Sequence, residues 1–159
     1  VVVMNDTKAL PADIGPADQG IAPRWVRVAL VMLGLPNVVT GAWAVVAPLH
    51  WYKNFPGWIP RLISAFPPYN EHLATDAGTG LLVTGVVVLA AAAWPRRDIV
   101  LTATGAYATF AAIHAAYHLI NPAPHHGLTG AEAAINNITL SAAAVASTFV
   151  FLATLRKAP

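Results

Sequence analysis

An all-α, four-helix transmembrane bundle is the fold class this chain predicts, and three observations carry the prediction. Hydrophobic residues make up 57% of the 159-residue chain and charged residues only 10%, far below the roughly 25% charged content of a soluble domain. Four apolar runs reach the length of about 20 residues that a helix needs to cross the hydrocarbon core. The basic residues fall almost entirely on one side once those runs are laid out as alternating spans. The length suits one domain. Nine Lys and Arg against seven Asp and Glu leave a net charge of +2, too small an excess to indicate nucleic-acid binding. With no cysteine in the chain, disulfides, thioether-bound haem, iron–sulfur clusters and thiol chemistry are excluded.

Residues 1–23 read as a cytoplasmic tail, because Pro, Gly, Asp and Ala mix there without periodicity and cannot form a core of their own. The first span covers about residues 25–47. Arg24 and Arg27 at its front and Ala42–Trp43–Ala44 near its end imitate a cleaved signal peptide, but the expectation is a retained anchor. Pro36 should kink this helix, with Asn37 satisfying backbone groups that the kink frees. The loop from Pro48 to Tyr69 carries Trp51, Tyr52, Trp58 and Phe66, whose rings suit the headgroup level. A short amphipathic helix around Ile59–Phe66 is expected to lie flat on the membrane.

Asn70 is a good N-cap for the second span, about residues 71–94. Pro95–Arg96–Arg97 makes a tight turn, and Asp98 is positioned to cap the third span, about 99–120, which Asn121–Pro122 ends. Thr129 and Glu132 have the spacing of a capping box at the start of the fourth span, about 131–155. Thr104, Ala108, Ala112 and Ala116 form a four-residue stripe of small side chains, suited to close helix packing in lipid. Lys8, Arg24, Arg27, Arg96, Arg97, Arg156 and Lys157 lie on one side of this layout, and only Lys53 and Arg61 on the other. The positive-inside rule then places both termini in the cytoplasm, and the setting is a bacterial plasma membrane crossed several times.

All six histidines (His50, His72, His114, His118, His125, His126) fall at or near the outer face, together with Glu71, Asp76 and Glu132. Helical rise puts His72, His118 and Glu132 roughly 3–5 Å below their helix ends, and Asp76, His114 and Asn136 roughly 9–10 Å down. Four-residue spacing places His72 with Asp76, His114 with His118, and Glu132 with Asn136 on common helix faces. Ionisable groups in lipid are costly, so these faces are expected to point inward and meet. A hydrogen-bonded network that fixes helix register accounts for them most simply. A metal site built from His72, Asp76, His114, His118 and Glu132 is the sharper alternative, since two histidines and a carboxylate suit zinc or non-haem iron. A proton-relay, quinone or haem role is the third. HxxxH is a weak motif and the HExxH pattern is missing, so no metal and no other cofactor is expected, and no catalytic residue is assigned. His125–His126 reads as solvated loop, Tyr107 as packing, and Asn136–Asn137 as helix–helix hydrogen bonding.

The segment Pro67–Pro68–Tyr69–Asn70–Glu71–His72–Leu73, followed by Asp76 and Gly78, resembles a loosely defined group of small actinobacterial four-helix membrane proteins. These share a PPYNEHL-like entry to the second helix, a nearby Asp–Gly or Asp–x–Gly, and paired histidines late in the third helix. His114 and His118 match the last feature, and Ala77 separates Asp76 from Gly78 here. The likeness spans roughly residues 25–155 and leaves out the tail. Such a chain is similar to the association-factor subunit of the actinobacterial cytochrome bcc–oxidase respiratory supercomplex. The resemblance implies an accessory, non-catalytic subunit among other integral membrane subunits and lipid, and no enzymatic activity to carry over. The rival expectation is a metal- or quinone-dependent membrane oxidoreductase that uses the outer His/carboxylate cluster. Transport is disfavoured, because no pair of broken helices recurs across two repeats.

The cysteine-free background makes the topology directly measurable. A single cysteine placed beside Arg97 should be labelled only after the membrane is permeabilised, and one beside His126 should be labelled from outside. Labelling of the Arg97 turn by an impermeant reagent in intact cells would overturn the N-in, C-in arrangement.

Overall fold

The computed structural model describes residues 22–57, 61–122 and 127–156. Among them every regular element is helical: α1 (Arg24–Val46), α2 (Pro48–Asn54), α3 (Glu71–Ala93), α4 (Arg97–Ile120) and α5 (Gly130–Leu155). Four of these, α1, α3, α4 and α5, are long and apolar enough to cross a membrane. At 1.5 Å per residue they extend about 34–39 Å, more than the roughly 30 Å hydrocarbon thickness. Their outward faces carry Val28, Met32, Val39, Val83, Ile113, Ile138, Val145 and Phe149, as a bundle solvated by lipid requires. The chain is a multi-pass membrane protein.

Proline sets three of the helix ends. Ala47, Trp94 and Asn121 each precede a proline, and each leaves the helical region with ψ of 66°, 78° and 75°, because the proline ring crowds the residue before it. Asn70 caps α3 through a 3.1 Å bond from the Leu73 amide. Thr129 and Glu132 close a full capping box on α5. Asp98 does not cap α4: the N-cap is Arg96, and the Asp98 carboxylate inside the first turn is paired with the Arg96 guanidinium at 2.9 Å.

The connecting segment differs from expectation. Its helix is α2, with Pro48 at the first position, where the missing N–H is no loss. Residues 61–66 are irregular, with bends and a turn over 63–66, not the expected amphipathic helix, and Trp58, Ile59 and Pro60 lie outside the described residues. Of the tail read over residues 1–23, residues 1–21 also lie outside them, and the Ala22 amide donates to Pro95 O at 2.7 Å.

Around the bundle the order is α1, α3, α4, α5, with α1 against α3 and α4 against α5 as the extensive contacts. Glycine decides the first of these. A β-carbon on Gly41 would overlap the Leu82 nitrogen and sit 2.7 Å from the Gly78 oxygen. On Gly85 it would meet the Val38 nitrogen at 2.6 Å and the Gly34 oxygen at 2.8 Å. Gly34 and Gly41 on α1, and Gly78 and Gly85 on α3, are each seven residues apart, so the four share one seam of two antiparallel helices. Bare backbones in contact are how helices associate in lipid, where apolar burial supplies no drive.

At the end where α1 begins and α5 finishes, Val26, Leu30, Val88, Ala91, Val100, Ala103 and Val150 draw all four long helices into one core. Two arginines tie that end to helix carbonyls. Arg27 Nε donates to Ala92 O on α3 at 3.1 Å, and an Arg97 terminal nitrogen donates to Leu155 O on α5 at 3.0 Å, each placing a cation on a helix C-terminus. At the opposite, loop end, a smaller cluster of Ala44, Trp51 and Ala74 is packed by Trp43, Tyr52, Phe55, Ile63 and Tyr69. Trp51 is thus buried beneath the loop rather than anchored at a lipid surface. The buried residues of α5 are Ser147, Val150 and Thr154, all in its last turns; Ala143 and Ala144 are partly buried against the core, and residues 130–142 add nothing to it. The small-residue stripe of α4 is also rotated from expectation. Thr104 is buried, but Ala112 and Ala116 face outward, and the packed line runs through Ala103, Tyr107, Ala111 and Ala115.

Gly41→Ala should therefore destabilise the bundle by about 1–3 kcal/mol, the usual range for overpacking. Gly80, with nothing within 4 Å of an added β-carbon, should accept alanine with no loss or a gain of up to about 1 kcal/mol. Reversible unfolding in detergent micelles checks both values, and equal responses at the two positions would refute the close-contact seam.

Candidate functional site

The histidines and acids at the loop end of the bundle resolve into local pairs. On α3, His72 Nε2 lies 3.3 Å from an Asp76 oxygen, with side-chain exposures of 82% and 61%. On α4, His114 Nε2 and His118 Nε2 are 3.2 Å apart and both rings are half-buried. On α5, the Glu132 carboxylate accepts from the Thr129 amide at 2.7 Å, and the Thr129 hydroxyl accepts from the Glu132 amide at 3.3 Å. Asn136 and Asn137 are half-buried one turn further along. Among the described residues, no three His, Asp or Glu side chains come together in a group able to hold a metal ion. The expected convergence of His72, Asp76, His114, His118 and Glu132 into one inward cluster does not occur.

Helix rotation explains why. Ala74 and Gly78 bury their faces of α3 against α1. His72 and Asp76 each stand two residues from Ala74, roughly 200° around the helix, so the glycine seam turns them outward. On α4, His114 and His118 each lie three residues beyond a buried alanine, Ala111 and Ala115, roughly 60° off the packed line. That places them at the margin of the core. Glu132 is spent on its own helix terminus, where a carboxylate complements the unpaired amides.

The α4 pair belongs to a longer line of rings. Tyr107 and Phe110 stack at 6.3 Å between centroids, Phe110 and His114 are 5.5 Å apart, and His114 and His118 are 4.9 Å apart. Phe66, from the loop, meets His118 edge-on at 5.3 Å. At the deep end of this line, Asn37 donates from one amide nitrogen to Leu33 O at 2.8 Å and to the Tyr107 hydroxyl at 2.9 Å. Asn37 thus bonds the carbonyl one residue after that of Met32, the one Pro36 leaves without its amide donor, and also bridges the diagonal between α1 and α4. Tyr107 is more than packing.

Two contacts had little sequence signal. Trp43 Nε1 donates to His50 Nδ1 at 2.9 Å, tying α2 back onto α1 and fixing that nitrogen of His50 as an acceptor. Their seven-residue spacing across Pro48 gave no hint of it, because proline interrupts the helical register. The Phe66–His118 contact joins a loop to a helix far along the chain and has no local pattern at all. His125 and His126 lie outside the described residues. No protein family, curated protein or solved structure matches this chain.

The Asn37–Tyr107 bond is open to a double-mutant cycle with Asn37→Ala and Tyr107→Phe. A coupling of about 0.6 kcal/mol, and no more than about 1.7 kcal/mol, is expected for one interhelical hydrogen bond in a membrane bundle. Additive single effects in detergent unfolding would remove the bridge from the account.

Proposed function

We propose that this chain is an accessory, non-catalytic subunit that docks against other integral membrane subunits in a bacterial plasma membrane, with both termini cytoplasmic. Its role is to support the assembly or stability of a respiratory electron-transfer complex. The observation that carries the docking role is on α5. Residues 130–146 supply no buried side chain, yet they include Asn136, Asn137 and Ser141. Polar side chains along an otherwise apolar span are costly against hydrocarbon and are relieved by hydrogen bonds to a neighbouring helix. The outward Ala112 and Ala116 on α4 add a surface on which a second backbone can approach closely. The basic groups at the end of the bundle where α1 begins support the cytoplasmic placement of that end. The respiratory setting rests on the likeness carried by Pro67–Leu73, Asp76, His114 and His118. The separate engagement of the histidines and acids favours a supporting role over chemistry.

Affinity purification of the full chain from native membranes in mild detergent tests the reading. Other membrane subunits should co-purify in a fixed ratio, and loss of the chain should lower the yield of the assembled complex more than the turnover of what remains. Removing residues 1–23 should loosen the association while leaving the bundle inserted. Asn136→Leu with Asn137→Leu should weaken it by about 0.6 kcal/mol for each lost interhelical bond. A chain that purifies alone and carries a redox activity of its own would replace this proposal with the membrane oxidoreductase.

A further inference from the structure

We infer that His114 and His118 form a two-imidazole seat for a divalent first-row transition-metal ion. This inference stands apart from the docking role and does not rest on it. The two Nε2 atoms converge at 3.2 Å. Metal–imidazole bonds of about 2.0–2.1 Å drawn to both nitrogens subtend roughly 100–106° at the ion, close to a tetrahedral bite. One turn of α4 supplies this spacing, and the neighbouring rings hold it: Phe110 packs on His114, while Phe66 and Tyr117 meet His118 edge-on. None of the three is a ligand. An apolar shell of this kind beside a site tunes how strongly imidazole binds.

Without an ion, the same 3.2 Å contact is a hydrogen bond in which one Nε2 carries a proton and the other accepts it. Metal binding needs both Nε2 lone pairs free, so the donor ring moves its proton to Nδ1 and both rings stay neutral. Imidazole nitrogen selects copper, zinc, nickel or iron over calcium and magnesium, which demand oxygen. Between copper and zinc, copper binds more tightly at a nitrogen site. Axial haem ligation is excluded for this pair, since two rings one turn apart on one helix approach from the same side. Glu132 is held by its cap and Asp76 by His72. The other coordination positions therefore fall to water, a small anion or a group from a neighbouring subunit.

Copper(II) titrated into the full chain in detergent micelles tests the seat by electron paramagnetic resonance. A variant with His50, His72, His125 and His126 all changed to Gln leaves only the pair. The expected result is one tightly bound equivalent with two coupled imidazole nitrogens, in both the wild type and this variant. His114→Gln or His118→Gln in the same background should weaken binding by at least about tenfold, the lower bound even for loss of an outer-shell partner. One coupled nitrogen or none at the first equivalent overturns the inference, and so does undiminished binding by the folded single variants. Should those variants fail to fold, the nitrogen count in the variant that keeps only the pair decides alone.

Discussion

The contact of α1 with α3 is made backbone to backbone, and the rest of the molecule is arranged around it. An added methyl group would overlap main-chain atoms of the facing helix at Gly41 and Gly85, the Ala44 β-carbon at Gly78 and the Leu89 side chain at Gly34. In water such a seam would bury little and hold weakly. In lipid, where side-chain burial gains almost nothing over contact with acyl chains, dispersion between close backbones and weak Cα–H···O contacts become the main attraction. Four small residues therefore set the distance between two helices and also their rotation about their own axes.

Fixing that rotation has consequences at both ends of the bundle. At the end where α1 begins, it brings Arg27 onto the last carbonyls of α3, while Arg97 reaches the last carbonyls of α5. The arginines gathered there satisfy carbonyls at helix ends that have no intrahelical partners. Hydroxyls inside the core need no such partners. Thr104, Ser147 and Thr154 each bond a carbonyl one turn back in their own helix, so polar groups are buried without an interhelical network. At the loop end, the same rotation sends His72 and Asp76 outward and leaves α4 to present His114 and His118 at the edge of the core.

The polar groups of the loop end therefore serve different purposes despite their matched depths. Glu132 completes a cap, Asn37 and Tyr107 tie a diagonal, and His50 holds α2 against α1. Among the described residues, only the His114–His118 pair brings two imidazole nitrogens within hydrogen-bond distance of each other. The half of α5 at the same end, residues 130–142, carries no buried side chain.

What the sequence determined by itself was most of what acts within one helix, although Asp98 is not the cap of α4 and residues 61–66 form no helix. The four spans follow from hydropathy, their ends from Pro48, Pro95 and Pro122, and the caps from Asn70 and the Thr129–Glu132 spacing. The pairing of His72 with Asp76 and of His114 with His118 follows from four-residue spacing for the same reason. Which pairs face each other was decided only by the tertiary structure. Identical spacing on two helices says nothing about their relative rotation, and here that rotation is set by glycines on separate helices that touch only after folding. The seven-residue spacing of Gly34 with Gly41 and of Gly78 with Gly85 was the available signal for this seam, whereas the small-residue stripe of α4 leaves Ala112 and Ala116 outside the bundle core. Arg27 on Ala92, Arg97 on Leu155 and Asn37 on Tyr107 had no such signal, because a single hydrogen bond between distant segments leaves no periodic trace in the chain.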